Sequence, residues 1–336
     1  MQIFDQRIYD IVDKSLEGAG LTETETCELF AVPETSKEAA LIRWAGQELS
    51  LRAANGVAEI HAQIGLNSTT CPMNCKFCSF AACNNGRKVH IELERDDVLR
   101  YAELAMKSGA NALLLLCTAT YKFEKLAEMA REVREVIPDD MPLLVNSGDM
   151  TLDQALMLRA AGVNGAYHAV RMREGVDTGI PVEKRLATLQ NLIDANMSIS
   201  TCVEPIGPEH TPEELTQAVF RCNSYNPVSG GAGRRVGVPG TLLFDRGMVT
   251  EVYNANAAAI YRMAVGTGMR LNCSANTVMT AASGANLAWT EVGANPRDLV
   301  ALTEEGGRAA SIEFCRKNFA GAGWEILDGP SQGWML

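Results

Sequence analysis

From residue 58 onward, short apolar runs alternate with longer amphipathic segments, and this alternation limits the fold more than any other feature of the chain. The runs cover 58–66, 112–117, 143–146, 165–170, 197–203, 233–238, 269–273 and 286–290. Between most of them lie segments with helical spacing of apolar residues, at 95–107, 123–136, 152–161, 182–195, 212–222 and 249–266. Strand, helix, strand with short loops predicts parallel β/α architecture, because parallel strands need a long crossover and a helix supplies it. Eight candidate strands in 336 residues predict an α/β protein with a closed TIM-type (β/α)8 barrel over 56–336, finished by a C-terminal helical segment. Ser229-Gly-Gly-Ala-Gly reads as a loop entering a strand.

Residues 1–55 read as an N-terminal helical extension. Ile8, Ile11, Val12 and Leu16 keep helical spacing, Thr22 opens a segment with acids in its first turn, and Ser36 opens another that runs to about Ala54. No linker, low-complexity tract or repeat divides the chain.

Hydrophobic residues make up 47% of the chain and charged residues 21%, which excludes a disordered polymer. A net charge of −11 argues against nucleic acid as a partner, since phosphate binding needs a basic surface. There is no run of eighteen apolar residues, so no membrane span is expected. The first twenty residues lack the basic start and apolar stretch of a secretory signal, so a cytoplasmic location is expected. Ten cysteines in such a chain point to a reducing compartment, with thiolates serving metal or catalysis rather than disulfides.

Five of the ten lie between 71 and 117, and three of these form the motif C-x3-C-x2-C at Cys71, Cys75 and Cys78. The motif directly follows the first predicted strand, on the face of a barrel where active sites are built. Soft sulfur ligands at this spacing favour zinc or an iron–sulfur cluster. Structural zinc modules pair their cysteines, and only Cys75 and Cys78 have that pair spacing here. A cubane held by three thiolates leaves one iron free for a small molecule. Inert thiols belong on apolar faces, whereas these lie among Pro72, Asn74 and Lys76.

The triplet, with aromatic Phe77 before its third cysteine and a strand before its first, resembles the radical S-adenosylmethionine (SAM) superfamily. The resemblance implies a [4Fe–4S] cluster on Cys71, Cys75 and Cys78 and SAM chelated to the fourth iron. It also implies reductive cleavage of SAM to a 5′-deoxyadenosyl radical that abstracts hydrogen from a small-molecule substrate, with electrons from a donor such as flavodoxin or ferredoxin. Over about 57–327 the chain is most similar to the biotin synthase branch, in Leu158-Arg-Ala-Ala-Gly-Val-Asn, in Val238-Pro-Gly-Thr-Leu-Leu and in Gly284-Ala-Asn286.

In that branch an auxiliary iron–sulfur cluster lies inside the barrel, held by cysteines and an arginine. The resemblance matches Cys117 and Arg270 to those positions. The third strand lacks its cysteine, and the fifth has Ser200 at the direct match with Cys202 two residues on. Cys117, Cys202 and Cys273 end candidate strands, where they read either as small core residues or as members of such a site. Arg270 needs an acid or anion, met by Glu204 or Asp149, by a cluster or by a substrate carboxylate.

The SAM contacts implied are Phe77, Asn146, Ser147, His168, Arg171 and Glu204, with Arg171 suited to the methionine carboxylate. His168 equally suits a hydrogen-bonded core position. The chemistries left open are sulfur insertion, as in biotin synthase, and radical rearrangement or metallocofactor assembly. A non-catalytic iron–sulfur carrier, with Cys83 as fourth ligand, is the rival of another class.

Overall fold

A computed structural model of the chain describes residues 4–85 and 90–335; the remaining positions of the spans 1–55 and 56–336 lie outside the described residues. Eight parallel strands close into a barrel in chain order: β1 (Val57–Gly65), β2 (Ala112–Leu116), β3 (Leu143–Asn146), β4 (Gly165–Tyr167), β5 (Ser198–Ser200), β6 (Ser229–Arg234), β7 (Leu271–Cys273) and β8 (Leu287–Gly293). β8 returns to β1 in register from Glu59 opposite Leu287 to Gly65 opposite Gly293, which completes the TIM-type (β/α)8 ring.

Side chains alternate across the wall with the period of two of a strand. On β1, Ala58, Ile60, Ala62 and Ile64 pack outward under helices, while Glu59, His61 and Gln63 face the barrel axis. On β2, Leu113 and Leu115 pack outward and Leu114 and Leu116 inward.

The outer helices are α4 (Arg95–Lys107), α5 (Phe123–Val136), α6 (Leu152–Ala160), α7 (Val182–Asp194), α8 (Pro212–Asn223) and α9 (Glu251–Val265), with short α10 (Val278–Ala281) and then α11 (Ile312–Gly321). Their starts are fixed locally. Thr151 with Gln154, and Thr211 with Glu214, form reciprocal capping boxes that satisfy helix N–H groups. Ahead of the barrel, α1 (Gln6–Ser15), α2 (Glu23–Phe30) and α3 (Lys37–Ala53) pack Ile11, Leu29, Ile42 and Leu49 against Leu215, Val219 and Ile260. Gly46 lets α3 and α9 cross closely, since a Cβ there would lie 2.6 Å from the Ala259 methyl.

Two predicted boundaries are corrected. Ser229–Arg234 is itself the sixth strand rather than a loop before it. Its glycines are imposed by packing: a Cβ on Gly230 would lie 2.0 Å from the Tyr261 hydroxyl, and one on Gly231 only 1.9 Å from the Cys273 carbonyl oxygen. Gly231→Ala must therefore part β6 from β7, and we expect it to cost about 3 kcal/mol, read as a lowered urea midpoint. The run at 197–203 divides into β5 and a separate strand, Val203–Ile206, which pairs with Ala232 and Arg234 of β6 outside the ring.

Past α11, residues 327–335 run back across the start of the barrel. Asn111 donates its side-chain amide to Gly329 O at 2.7 Å, Ser331 N–H donates to Asn111 O at 2.7 Å, and Met335 N–H donates to Ser198 Oγ at 2.9 Å. Asn111 immediately precedes β2 and Ser198 opens β5, so this segment closes the N-terminal mouth.

Candidate active site at the C-terminal mouth

The cysteine loop leaves β1 at the opposite, C-terminal mouth, and its backbone is tied on all sides. Cys71 N–H donates to Phe80 O at 2.7 Å and Ala82 N–H to Cys71 O at 2.9 Å. The Asn84 side-chain amide donates to Cys78 O at 2.7 Å and to Cys75 O at 3.3 Å. Asn74 adopts a left-handed conformation, φ 51°, and its Oδ1 accepts from Cys83 N–H at 3.0 Å. Phe80 N–H donates to Cys78 Sγ at 3.4 Å, a bond that favours sulfur carrying negative charge.

Burial pushes the Cys75 thiol up to about 11, opposed by the positive charges of Arg171 and Arg185. Burial pushes Cys78 up to about 12, reinforced by Cys75 and Cys71. For Cys75 and Cys78 a bound metal centre has to supply the charge that draws off the proton. Among the described residues no three His, Cys, Asp or Glu side chains converge tightly enough for a single metal ion. A cubane, with one thiolate on each ligated iron, spaces its ligands more widely. The donor set, three soft thiolates in one loop with no histidine beside them in the motif, fits an iron–sulfur cluster.

A chain of ion pairs anchors this loop to the barrel rim. Lys76 Nζ lies 3.2 Å from Asp177, Arg246 bridges Asp177 at 3.3 Å and Glu209 at 3.4 Å, and buried Arg235 meets Glu209 at 2.6 Å. Gly207 makes room for the last pair, since a Cβ there would lie 2.4 Å from both Arg235 and Glu209. Burial alone would raise the Glu209 carboxyl, but the Arg235 guanidinium prevails and holds it at about 2 against an ordinary 4.5. The folded value is depressed, so this stabilisation is present above about pH 4.5 and is lost as the pH falls toward 2. Glu209→Gln should flatten the acid-unfolding curve within that window while leaving the slope near neutrality unchanged.

Inside the rim, charge is paired. Arg171 forms an ion pair with Glu204, donates to the Tyr167 hydroxyl at 3.1 Å and lies over the Tyr167 ring at 5.4 Å. The Tyr167 hydroxyl in turn donates to Glu204. Across the mouth, Arg297 pairs with buried Glu291, which also accepts from Asn295 and, at 3.4 Å, from Gln63. His168 Nε2 lies 3.3 Å from Asp149 Oδ1, close but poorly angled for a hydrogen bond, and Arg185 donates to the same oxygen at 3.2 Å. Burial keeps His168 below its usual pKa, so it is neutral near pH 7.

The residues singled out from the sequence separate into groups. The loop of Cys71, Cys75 and Cys78 is hydrogen-bonded to the loop that carries Arg171, and Glu204 pairs with Arg171. Phe77 is half-buried in the cysteine loop, and Asn146 and Ser147 are half-buried at the exit of β3. Cys202 and Cys273 lie near each other and near Tyr167 within the barrel. Cys117 is not with them: it packs outward with Leu113, Leu115, Val98 and Leu126 under the helices. Arg270 sits before β7 at the N-terminal mouth, where it pairs with fully buried Glu59 rather than with Glu204 or Asp149. Sequence reasoning assigned no role to Tyr167, Glu291, Arg297 or Asp177. The available signal was Glu291 two residues after Trp289, a charge on the inward face of an apolar strand.

The chain is 23% identical to a biotin synthase of Rhodopirellula baltica over 266 residues, which covers 76% of this chain and 72% of that one. A biotin synthase of Salinispora tropica is 22% identical over 79% of this chain and 80% of its own. Among solved structures, methylornithine synthase superposes with a TM-score of 0.77 at 15% identity, covering 96% of this chain and 97% of that one. The [FeFe]-hydrogenase maturase HydG from Carboxydothermus hydrogenoformans superposes with a TM-score of 0.75 at 14% identity, covering 96% of this chain and 79% of that one. No family model matches the chain. In its cysteine motif and its sequence the chain is similar to radical SAM proteins of the biotin synthase-like branch, and its fold is that of methylornithine synthase and HydG. The cofactors of that class are a [4Fe–4S] cluster and SAM.

Proposed function

We propose that this chain is a one-cluster radical SAM enzyme acting on a small, carboxylate-bearing substrate inside the barrel. The observation that carries this reading is the junction of two features at one mouth: the cysteine loop is hydrogen-bonded to the loop that carries Arg171, through Lys76 N–H to Asp177 O at 2.9 Å and Gly179 N–H to Met73 O at 2.7 Å, and Arg171 forms a pair with Glu204. Cys71, Cys75 and Cys78 would hold the cluster, and with SAM it would supply a 5′-deoxyadenosyl radical for hydrogen abstraction. Arg171 would take the methionine carboxylate and Glu204 its ammonium, so the resting ion pair opens around a zwitterion of matching charge. Phe77 would cover the cluster, and Asn146, Ser147 and His168 would offer polar contacts at the strand exits. Arg297, paired with Glu291, is the further cation suited to a substrate carboxylate.

Radical rearrangement or metallocofactor assembly suits these side chains better than sulfur insertion. A second cluster would need Cys117 and Arg270 beside Cys202 and Cys273, but Cys117 lies on the outer face of the strands, under the helices, and Arg270 at the far mouth. The partners in keeping with this reading are a flavodoxin- or ferredoxin-type donor and a reducing, cytoplasmic setting; among the described residues no helix is long and apolar enough to cross a membrane. The experiment is iron counting after full anaerobic reconstitution. About four irons per chain are expected in the wild type and in Cys117→Ala alike. Markedly more iron, with part of it lost in Cys117→Ala, would return the reading to an auxiliary cluster and sulfur insertion.

A further inference from the structure

The barrel interior is polar at its C-terminal mouth and carries an apolar cluster, Leu114, Leu116, Leu144 and Trp334, beneath it. The polar mouth holds Arg171, Glu204, Arg297 and Glu291. The opposite end holds the paired Glu59, His61 and Arg270 and is closed in part by the segment 327–335, which is anchored at strand starts and by Arg159 at the end of α6, whose guanidinium donates to Met335 O at 3.2 Å. Besides Asn111 and Ser198, it is held by Asn164, just before β4, whose side-chain amide donates to Met335 O at 2.9 Å. Arg270, just before β7, donates to Gln332 O at 3.4 Å.

From this segment Trp334 rises into the barrel. It is buried against Leu114, Leu116 and Leu144, the inward residues of β2 and β3, with Tyr167, Val228 and Trp289 packed on the same cluster. Its ring lies 6.1 Å from that of His61. The indole N–H donates to Ser331 Oγ at 2.9 Å, so its one polar atom is satisfied by its own segment and the ring is free to fill apolar space. Tyr167 connects the polar mouth to this cluster, because the ring that packs on the Trp334 cluster carries the hydroxyl that meets Arg171 and Glu204.

We propose that Trp334 is the floor of the substrate chamber and sets its depth, so that the enzyme accepts a compact polar substrate and excludes one with a long apolar tail. The proposal rests on the reading of the barrel interior as the place of radical chemistry. Removing a large aromatic side chain from a packed interior leaves an apolar cavity that stays dry and binds an apolar molecule of its own shape. Indole is that molecule for Trp334→Ala. In the reconstituted full chain, indole at about a hundredfold above its dissociation constant should raise the Tm of Trp334→Ala by about 4 °C and leave the wild type unmoved. Formation of 5′-deoxyadenosine without substrate should rise in the variant, as its chamber opens to water, and fall back when indole is added. If Trp334→Ala does not fold, Trp334→Leu with benzene as probe asks the same question of a smaller gap. A folded variant that takes up neither probe overturns the proposal. Probe binding with no 5′-deoxyadenosine from any form keeps the floor and overturns the radical reading; nucleoside formation indifferent to a bound probe overturns the floor.

Discussion

Cys75→Ala is expected to strip the protein of its iron, from about four per chain to near zero, and with it the visible absorbance of the cluster. Two thiolates and a water hold a cubane poorly, and the backbone groups beside the missing sulfur are already engaged. The Cys75 and Cys78 carbonyls both accept from Asn84, and the Cys71 amide is committed to Phe80. Loss of Cys83, by contrast, should leave iron content unchanged: it is exposed, and its backbone is held by Asn74. A carrier that used Cys83 as fourth ligand would lose iron in Cys83→Ala as well.

Arg171→Ala should weaken SAM binding by about 2–4 kcal/mol, roughly 30- to 1000-fold in Kd by anaerobic calorimetry. Part of any damage would come from Glu204, left unpaired in the interior. The double variant Arg171→Ala/Glu204→Gln separates the two effects. It removes the stranded charge, so thermal stability should recover toward the wild type, while SAM affinity should not. Recovery of both would mean that Arg171 serves only to neutralise Glu204.

Much of the architecture was legible because it is decided locally. The boundaries of α4 and α5 follow from apolar spacing alone, and Thr22 and Ser36 mark helix starts because their side chains accept from helix N–H groups. β6 was not legible, because its glycines answer to Tyr261 and to the β7 backbone, far away in the chain. The cysteine triplet was legible from spacing. The facing of Cys117 was not: period two puts it with Leu113 and Leu115, but parallel barrel strands bury both faces, so the sequence does not tell which set points inward. Arg270 was legible as a buried cation needing an acid, but its partner Glu59 lies 211 residues away, and only closure of the ring brings β7 near β1 through β8.

The central claim is that the triplet holds a cluster with one iron open to SAM. The most direct measurement is the electron paramagnetic resonance spectrum of the reduced, reconstituted wild type before and after SAM is added, with the same sample assayed for 5′-deoxyadenosine. The account predicts a spectrum altered by SAM and nucleoside formed in the wild type, with neither in a Cys71/Cys75/Cys78 triple variant. A reduced cluster whose spectrum ignores SAM, in a protein that yields no 5′-deoxyadenosine, would contradict it and leave an iron–sulfur electron carrier.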